Sequence, residues 1–189
     1  LQWRSHARPE VGHCLRPRVS RISRLHLAQP RLDADLGPSD DRGMQYLGGK
    51  TRLGRRIVDA ILNDLGVKRL SLAVDLCAGA GNATCRLADV SDRVEAVEAH
   101  PGLVALHKAV QGGWVPPEHV SPEDYQTARR GDAADPLVTF IGFGCSFSGK
   151  WWGGYAKNNR GHNYAQQSSK ALRRDARGNV VHVAADALA

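Results

Sequence analysis

The sequence has no apolar run approaching the roughly 18–20 residues that a membrane-crossing helix needs, which argues against a membrane protein. Its first residues, Leu1 to Pro17, mix Arg, His and Pro without an apolar stretch, so no secretory signal is read there. Only four cysteines occur among 189 residues (Cys14, Cys77, Cys85 and Cys145), and no two form a CxxC pair. That scatter suggests neither a zinc site nor a disulfide framework, and a reducing cytoplasm is the expected compartment. Methionine is scarcer still, with Met44 alone. Apolar residues are not scarce: at 42% of the chain they argue against wholesale disorder and can fill the core of one domain.

Charge is positive overall, with 26 Lys+Arg against 19 Asp+Glu, but it is unevenly spread. Residues 44–149 are nearly neutral, whereas residues 150–189 carry a basic excess opposed only by Asp175 and Asp186. A late basic block on a neutral body points to a surface that faces a polyanion, a solvated positive face being the commoner meaning of such a block. Residues 1–43 hold eight Arg and no Lys, Tyr or Phe, fit no helical or strand period, and end in the breaker-rich Leu36-Gly37-Pro38-Ser39-Asp40-Asp41-Arg42-Gly43. Met44 follows directly. The expectation is that the natural protein starts there and that 1–43 is an upstream leader; a disordered basic arm is the alternative.

Beyond Met44 the pattern is regular. Leu53, Ile57, Ile61 and Leu65 recur at helical spacing opposite Arg55, Arg56, Asp59 and Asn63, and Gly66 is placed to end the helix. Leu70–Leu76 predicts a buried strand, Ala83–Ala88 a helix, Val94–Val97 a second strand, and Pro101–Val110 a second helix. This alternation is the signature of a parallel, doubly wound α/β sheet. Ser121 is placed to start a further helix, and Val180–Asp186 predicts a late strand ending in an acid.

Chemistry concentrates where the first predicted strand ends. Gly79 and Gly81 in Asp75-Leu76-Cys77-Ala78-Gly79-Ala80-Gly81 permit a sharp turn with bare peptide against a ligand, next to a helix N-terminus. The dinucleotide fingerprint is not met, since its third glycine is replaced by Thr84. Asp75 at the strand end favours an amino-bearing or cationic ligand. Glu98 ends the second strand, where an acid accepts hydrogen bonds from ribose hydroxyls in α/β nucleotide folds. Together these features fit S-adenosylmethionine better than NAD; a glycine turn with no ligand is the bland alternative. Gly48-Gly49-Lys50-Thr51 invites a P-loop reading that fails, because the leading glycine position holds Met44 and no strand precedes it.

Tyr46-Leu47-Gly48-Gly49-Lys50-Thr51-Arg52-Leu53, then Asp75-Leu76-Cys77-Ala78-Gly79-Ala80-Gly81, then Glu98-Ala99-His100-Pro101 resembles the Dam-type DNA adenine-N6 methyltransferases, with the phage-encoded branch as the nearest likeness. The resemblance implies a Rossmann-like S-adenosylmethionine-dependent methyltransferase fold. It implies cofactor contacts from Tyr46, Gly48, Gly49, Lys50, Asp75, Gly79 and Gly81, a ribose contact from Glu98, and double-stranded DNA as partner. It covers about residues 44–189. Asp75-Leu76-Cys77 departs from the family's Glu-Pro-Phe but keeps the carboxylate. Asp186, at the end of the late strand, could approach the cofactor's adenine.

The stretch from Phe140 to Tyr155 interleaves aromatics with glycines beside Lys150, Lys157 and Arg160. Aromatics among cations offer stacking and phosphate contacts to nucleic acid; packing of Phe143, Phe147 and Trp151 inside the domain is the alternative. The resemblance favours DNA proximity for Lys150, Trp151, Lys157 and Arg160. On this reading 44–135 is the cofactor-binding α/β portion, 136–178 the aromatic and basic segment, and 179–189 the start of a further strand. His100, His107, His119, His162 and His182 show no metal-ligand spacing.

One part of the resemblance is missing. Such enzymes use an Asp/Asn-Pro-Pro-Tyr/Phe motif to hold the flipped adenine. Asp135-Pro136-Leu137-Val138 lacks its second proline and aromatic, and Pro116-Pro117 follows Val115. The expectation is an incomplete fold, with the catalytic motif beyond Ala189 and this chain unable to methylate DNA. The rivals are a non-catalytic nucleic-acid-binding module on a degenerate nucleotide fold, and a methyltransferase acting on RNA or a small molecule.

Overall fold

The structure, a computed structural model, describes residues 43–157 and 161–185. Residues 1–42 of the proposed 1–43 leader, Arg160 and Asp186 lie outside the described residues. Three parallel strands, β1 (Leu70–Asp75), β2 (Ser91–Glu98) and β3 (Val180–Ala184), form an open sheet in the order β1-β2-β3. Parallel neighbours need crossover connections. Helix α2 (Thr84–Asp89) supplies the first of them. The second is long and contains α3 (Pro101–Gln111), α4 (Pro122–Ala128), α5 (Pro136–Thr139) and α6 (Tyr164–Asp175). Helix α1 (Gly54–Leu65) precedes the sheet. The chain is therefore a mixed α/β fold around a small parallel sheet.

Local chemistry accounts for several boundaries. Gly66 caps α1 in the left-handed conformation at φ 66°, which costs glycine nothing sterically. Pro101 occupies the first turn of α3, where its missing N–H is not needed. Ser121 and Asp124 exchange reciprocal bonds as a capping box on α4, satisfying two otherwise orphaned N–H groups.

The strand register aligns Ala73 with Val94 and Val94 with Val180. That face also carries Ala96, and it packs on Val58 of α1 and on Leu87 and Ala88 of α2. Helix α3 lies on the same side, since its His107 ring stacks on His182 of β3, which is in register with Ala96. The opposite face departs from expectation. Leu72, Val74 and Val181 are 49%, 48% and 43% exposed, so β1 is an edge strand with one apolar face in solvent rather than a strand buried on both sides. All-parallel sheets are ordinarily covered on both faces. Among the described residues that cover is missing over β1, although Val97 on the same face of β2 is buried. The apolar stripe of α1 is similarly half open: Gly54 and Val58 are its buried residues, while Leu53, Ile57, Ile61 and Leu65 are exposed.

A second apolar cluster joins Met44 to Leu103 and Leu106 of α3, Tyr125 of α4, Leu172 of α6, and Phe140, Ile141 and Phe143. Phe140–Gly144 continues α5 as a π-helical turn. The aromatic segment thus shares its core with α3. Among the described residues no helix is long and apolar enough to cross a membrane.

Candidate functional site

The carboxyl ends of β1 and β2 meet at the glycine turn. Glu98 Oε2 accepts the Gly79 N–H at 2.7 Å, and Oε1 accepts the His100 N–H at 2.8 Å. Both are charge-assisted bonds, shorter and stronger than neutral ones. Ala78 donates its N–H to the Val97 carbonyl at 3.0 Å, which docks the turn against β2. Asp75 Oδ2 accepts the Thr84 hydroxyl at 2.7 Å, and its Oδ1 accepts the Cys77 N–H at 3.3 Å. Gly79 and Gly81 adopt φ 52° and 76°, a region that side-chain-bearing residues avoid. Thr84, the residue that breaks the dinucleotide fingerprint, thus binds the strand-end acid.

The opening loop folds onto this turn. A Cβ at Gly79 would lie 2.8 Å from Tyr46 Cε1, so the tyrosine ring rests on the bare glycine. Burial, followed by the proximity of Glu98 and Cys77, pushes the Tyr46 phenol above its usual value. Asn82, buried behind the turn, approaches Gly43, Gly49 and Gly54 so closely that a Cβ at any of them would meet its atoms. Leu47 donates its N–H to the Gly149 carbonyl at 3.0 Å. Gly48, Gly49 and Lys50 are exposed at the rim. A Cβ at Gly48 would meet nothing within 4 Å, so this edge is open, and Lys50 Nζ donates to its own loop at Gly48 O, 2.6 Å away.

Tyr46 also begins a continuous row of rings. Its centroid lies 5.1 Å from Phe143, Phe143 lies 4.7 Å from Trp151, and Trp151 lies 4.8 Å from His100 and 5.2 Å from Trp152. Trp152 continues to Tyr125 at 5.0 Å. A side chain at Gly142 would collide with the Trp151 ring, so glycine there admits the indole. Trp151 is accordingly half-buried among rings rather than projecting as a free stacking platform. Phe147, Lys150 and Lys157 are exposed. The segment is held by the Ser146↔Tyr155 bridge, and it contains Ser148 and Trp152 at φ 54° and 48°. A positive φ on a residue as bulky as tryptophan marks stored strain.

The structure therefore brings Tyr46, Asp75, Gly79, Gly81 and Glu98 together, with Gly48, Gly49 and Lys50 at the edge of the same place. Lys150, Trp151 and Lys157 belong to the adjoining aromatic segment. Residue-by-residue reading gave no site role to Thr84, Asn82, His107 or His182. Asn82 and Thr84 could have been suspected from their contiguity with Gly81; the two histidines carried no local signal.

The imidazoles take definite roles. His107 Nε2 lies 3.1 Å from the Gly79 carbonyl, and burial pushes its pKa below the usual histidine value. The same cause, aided by the His107 and Lys108 charges, takes His182 down to about 3. His100 Nδ1 is buried with no hydrogen-bond partner, and burial lowers its pKa too. Among the described residues no group of three or more His, Cys, Asp or Glu could hold a metal ion. No protein-family model matches the sequence, and no curated protein matches it.

Proposed function

We propose that this chain is the S-adenosylmethionine-binding portion of a Dam-type, Rossmann-like DNA adenine-N6 methyltransferase. The observation that carries this reading is the joining of Glu98, at the end of one parallel strand, to the glycine turn that ends its neighbour. Ligands of open α/β sheets bind in the crevice beyond the carboxyl ends of the strands, and here that crevice holds two carboxylates, a left-handed glycine pair and an aromatic loop.

The residues fit the cofactor. A carboxylate has about four acceptor positions, and Glu98 uses one on Gly79 and one on His100, leaving others for ribose hydroxyls. Asp75 offers negative charge toward a ligand carrying an ammonium group. Tyr46 walls the turn with a neutral ring, and Gly48, Gly49 and Lys50 border the open side. When bound, S-adenosylmethionine would supply an electrophilic methyl group on its sulfonium; the chain's residues hold and orient it.

The adenine-holding motif is absent from the sequence. Its partial match, Asp135-Pro136, serves another purpose: Asp135 Oδ1 accepts the Leu137 N–H at 2.7 Å and caps α5. The expected behaviour is cofactor binding without methyl transfer. Calorimetric titration of the chain with S-adenosylmethionine should give saturable heat, and incubation with labelled cofactor and duplex DNA should leave adenine unlabelled. Absence of heat would overturn the cofactor reading and favour a non-catalytic nucleic-acid-binding module.

DNA is the partner we assign to the exposed lysines beside the ring cluster. Each phosphate contact contributes about 0.9 to the slope of log K against log salt. Replacing Lys150 and Lys157 by alanine should flatten that slope by about 2, and adding Arg160→Ala should flatten it further. A slope that does not move would refute the assignment.

A further inference from the structure

Gly79 is held at both ends of its backbone. Its N–H goes to Glu98 at 2.7 Å, and its carbonyl lies 3.1 Å from His107 Nε2, on the face of α3 that looks at β3. A carbonyl only accepts, so the bond exists only when Nε2 carries the proton. A Cβ at Gly81 would lie 3.2 Å from His107 Cε1, so the same imidazole also supports the second glycine. Behind it, His182 lies parallel, with centroids 4.6 Å apart and planes 4° apart.

We propose that His107 is the positioning residue of the glycine turn, held flat by His182 and acting as the Nε2–H donor that sets the Gly79 peptide for the ligand. The proposal rests on the reading of that turn as the cofactor site. The cavity bordered by His107, His182, Cys85, Asp175 and Arg177 measures about 20 Å³, the room of one water. The imidazoles therefore do not line a ligand chamber and act through the backbone they hold.

The pair works as neutral rings. Glu98 at the end of β2 and Asp175 at the end of α6 face His107 and favour its protonation, but burial outweighs them. Lys108 on α3, with His107 itself, opposes protonation of His182. Two stacked imidazolium rings would repel each other across 4.6 Å.

Three measurements on the full chain test this. In wild type, long-range ¹H–¹⁵N spectra of the His107 ring should show the Nε2–H neutral tautomer at pH 7; an Nδ1–H tautomer would overturn the proposal without any variant. Next, His107→Leu should weaken S-adenosylmethionine binding about tenfold, the equivalent of one hydrogen bond. His107→Gln, which returns an amide N–H, should recover most of the loss. Finally, with no ligand present, His107→Leu should raise hydrogen exchange at the Gly79 amide about tenfold while β2 amides keep their protection. Unchanged exchange at Gly79 would sink the clamp. Altered exchange in a chain that never binds S-adenosylmethionine would keep the clamp and reject the cofactor reading, so the two failures are distinguishable.

Discussion

Replacing Glu98 by glutamine should weaken S-adenosylmethionine binding by about tenfold to a hundredfold. The Glu98 carboxylate is acceptor-only, and both of its oxygens are already engaged by backbone N–H groups, at Gly79 and His100. Glutamine keeps one acceptor oxygen and replaces the other with an NH₂ donor. Whichever way the amide turns, a donor then faces a backbone donor. One N–H loses its partner, at a cost of about 1–3 kcal/mol to folding stability, and a charge-assisted acceptor is lost from the ribose side, which lowers affinity by about 1.5–3 kcal/mol. About 1.5–3 kcal/mol corresponds to roughly tenfold to a hundredfold in affinity. Titration calorimetry gives the affinity and thermal unfolding separates the two contributions. If E98Q lowers the melting temperature but leaves the affinity intact, Glu98 only secures the turn and the ribose role is rejected.

Acid should unfold this protein earlier than its carboxylates alone require, and His182 is the reason. The folded His182 titrates at about 3 against an ordinary 6.5, chiefly because it is buried. Between those values the unfolded chain binds the extra proton and the folded chain does not. Stability is therefore full above the unfolded value and falls as the pH drops through it. At pH 5 the loss due to this residue is about 2 kcal/mol, a large share of a domain's 5–15 kcal/mol. His182→Phe keeps a flat ring against His107 and removes the titration. Urea unfolding at pH 7 and pH 5 should show the variant losing about 2 kcal/mol less than wild type over that interval. Equal losses would mean that His182 reaches solvent and is protonated in the folded state.

The two predictions differ in how much of their basis could be seen in the chain. Glu98 could be singled out from sequence because it ends a strand shortly after a glycine turn, and the chemistry of such ends is general. His182 could not. Its partner His107 and the carbonyl that His107 holds come together only once β3 is laid beside β2 and α3 covers that side of the sheet. Helix α6 escaped detection for a related reason. Its buried side is made largely of Ala165, Ser168, Ser169 and Ala171, whose hydroxyls reach the Gly144 and Pro116 carbonyls at 3.1 and 2.7 Å. A polar buried face leaves no hydrophobic period to read.

The sequence by itself determined what depends on neighbours along the chain: the strand–helix alternation, the Gly66 and Ser121 caps, the Pro101 helix start, and the glycine turn between two strand-end acids. Each follows from backbone preferences or hydrogen bonds spanning a few residues, which contiguous residue types specify directly. Only the tertiary structure decided which face of the sheet is covered, that Trp151 packs among Phe143, His100 and Trp152, and that Tyr46 and His107 press on the two glycines from different elements. Those outcomes depend on side-chain volume and burial between segments far apart in sequence, where close packing admits one arrangement among many that the same pattern of residues allows.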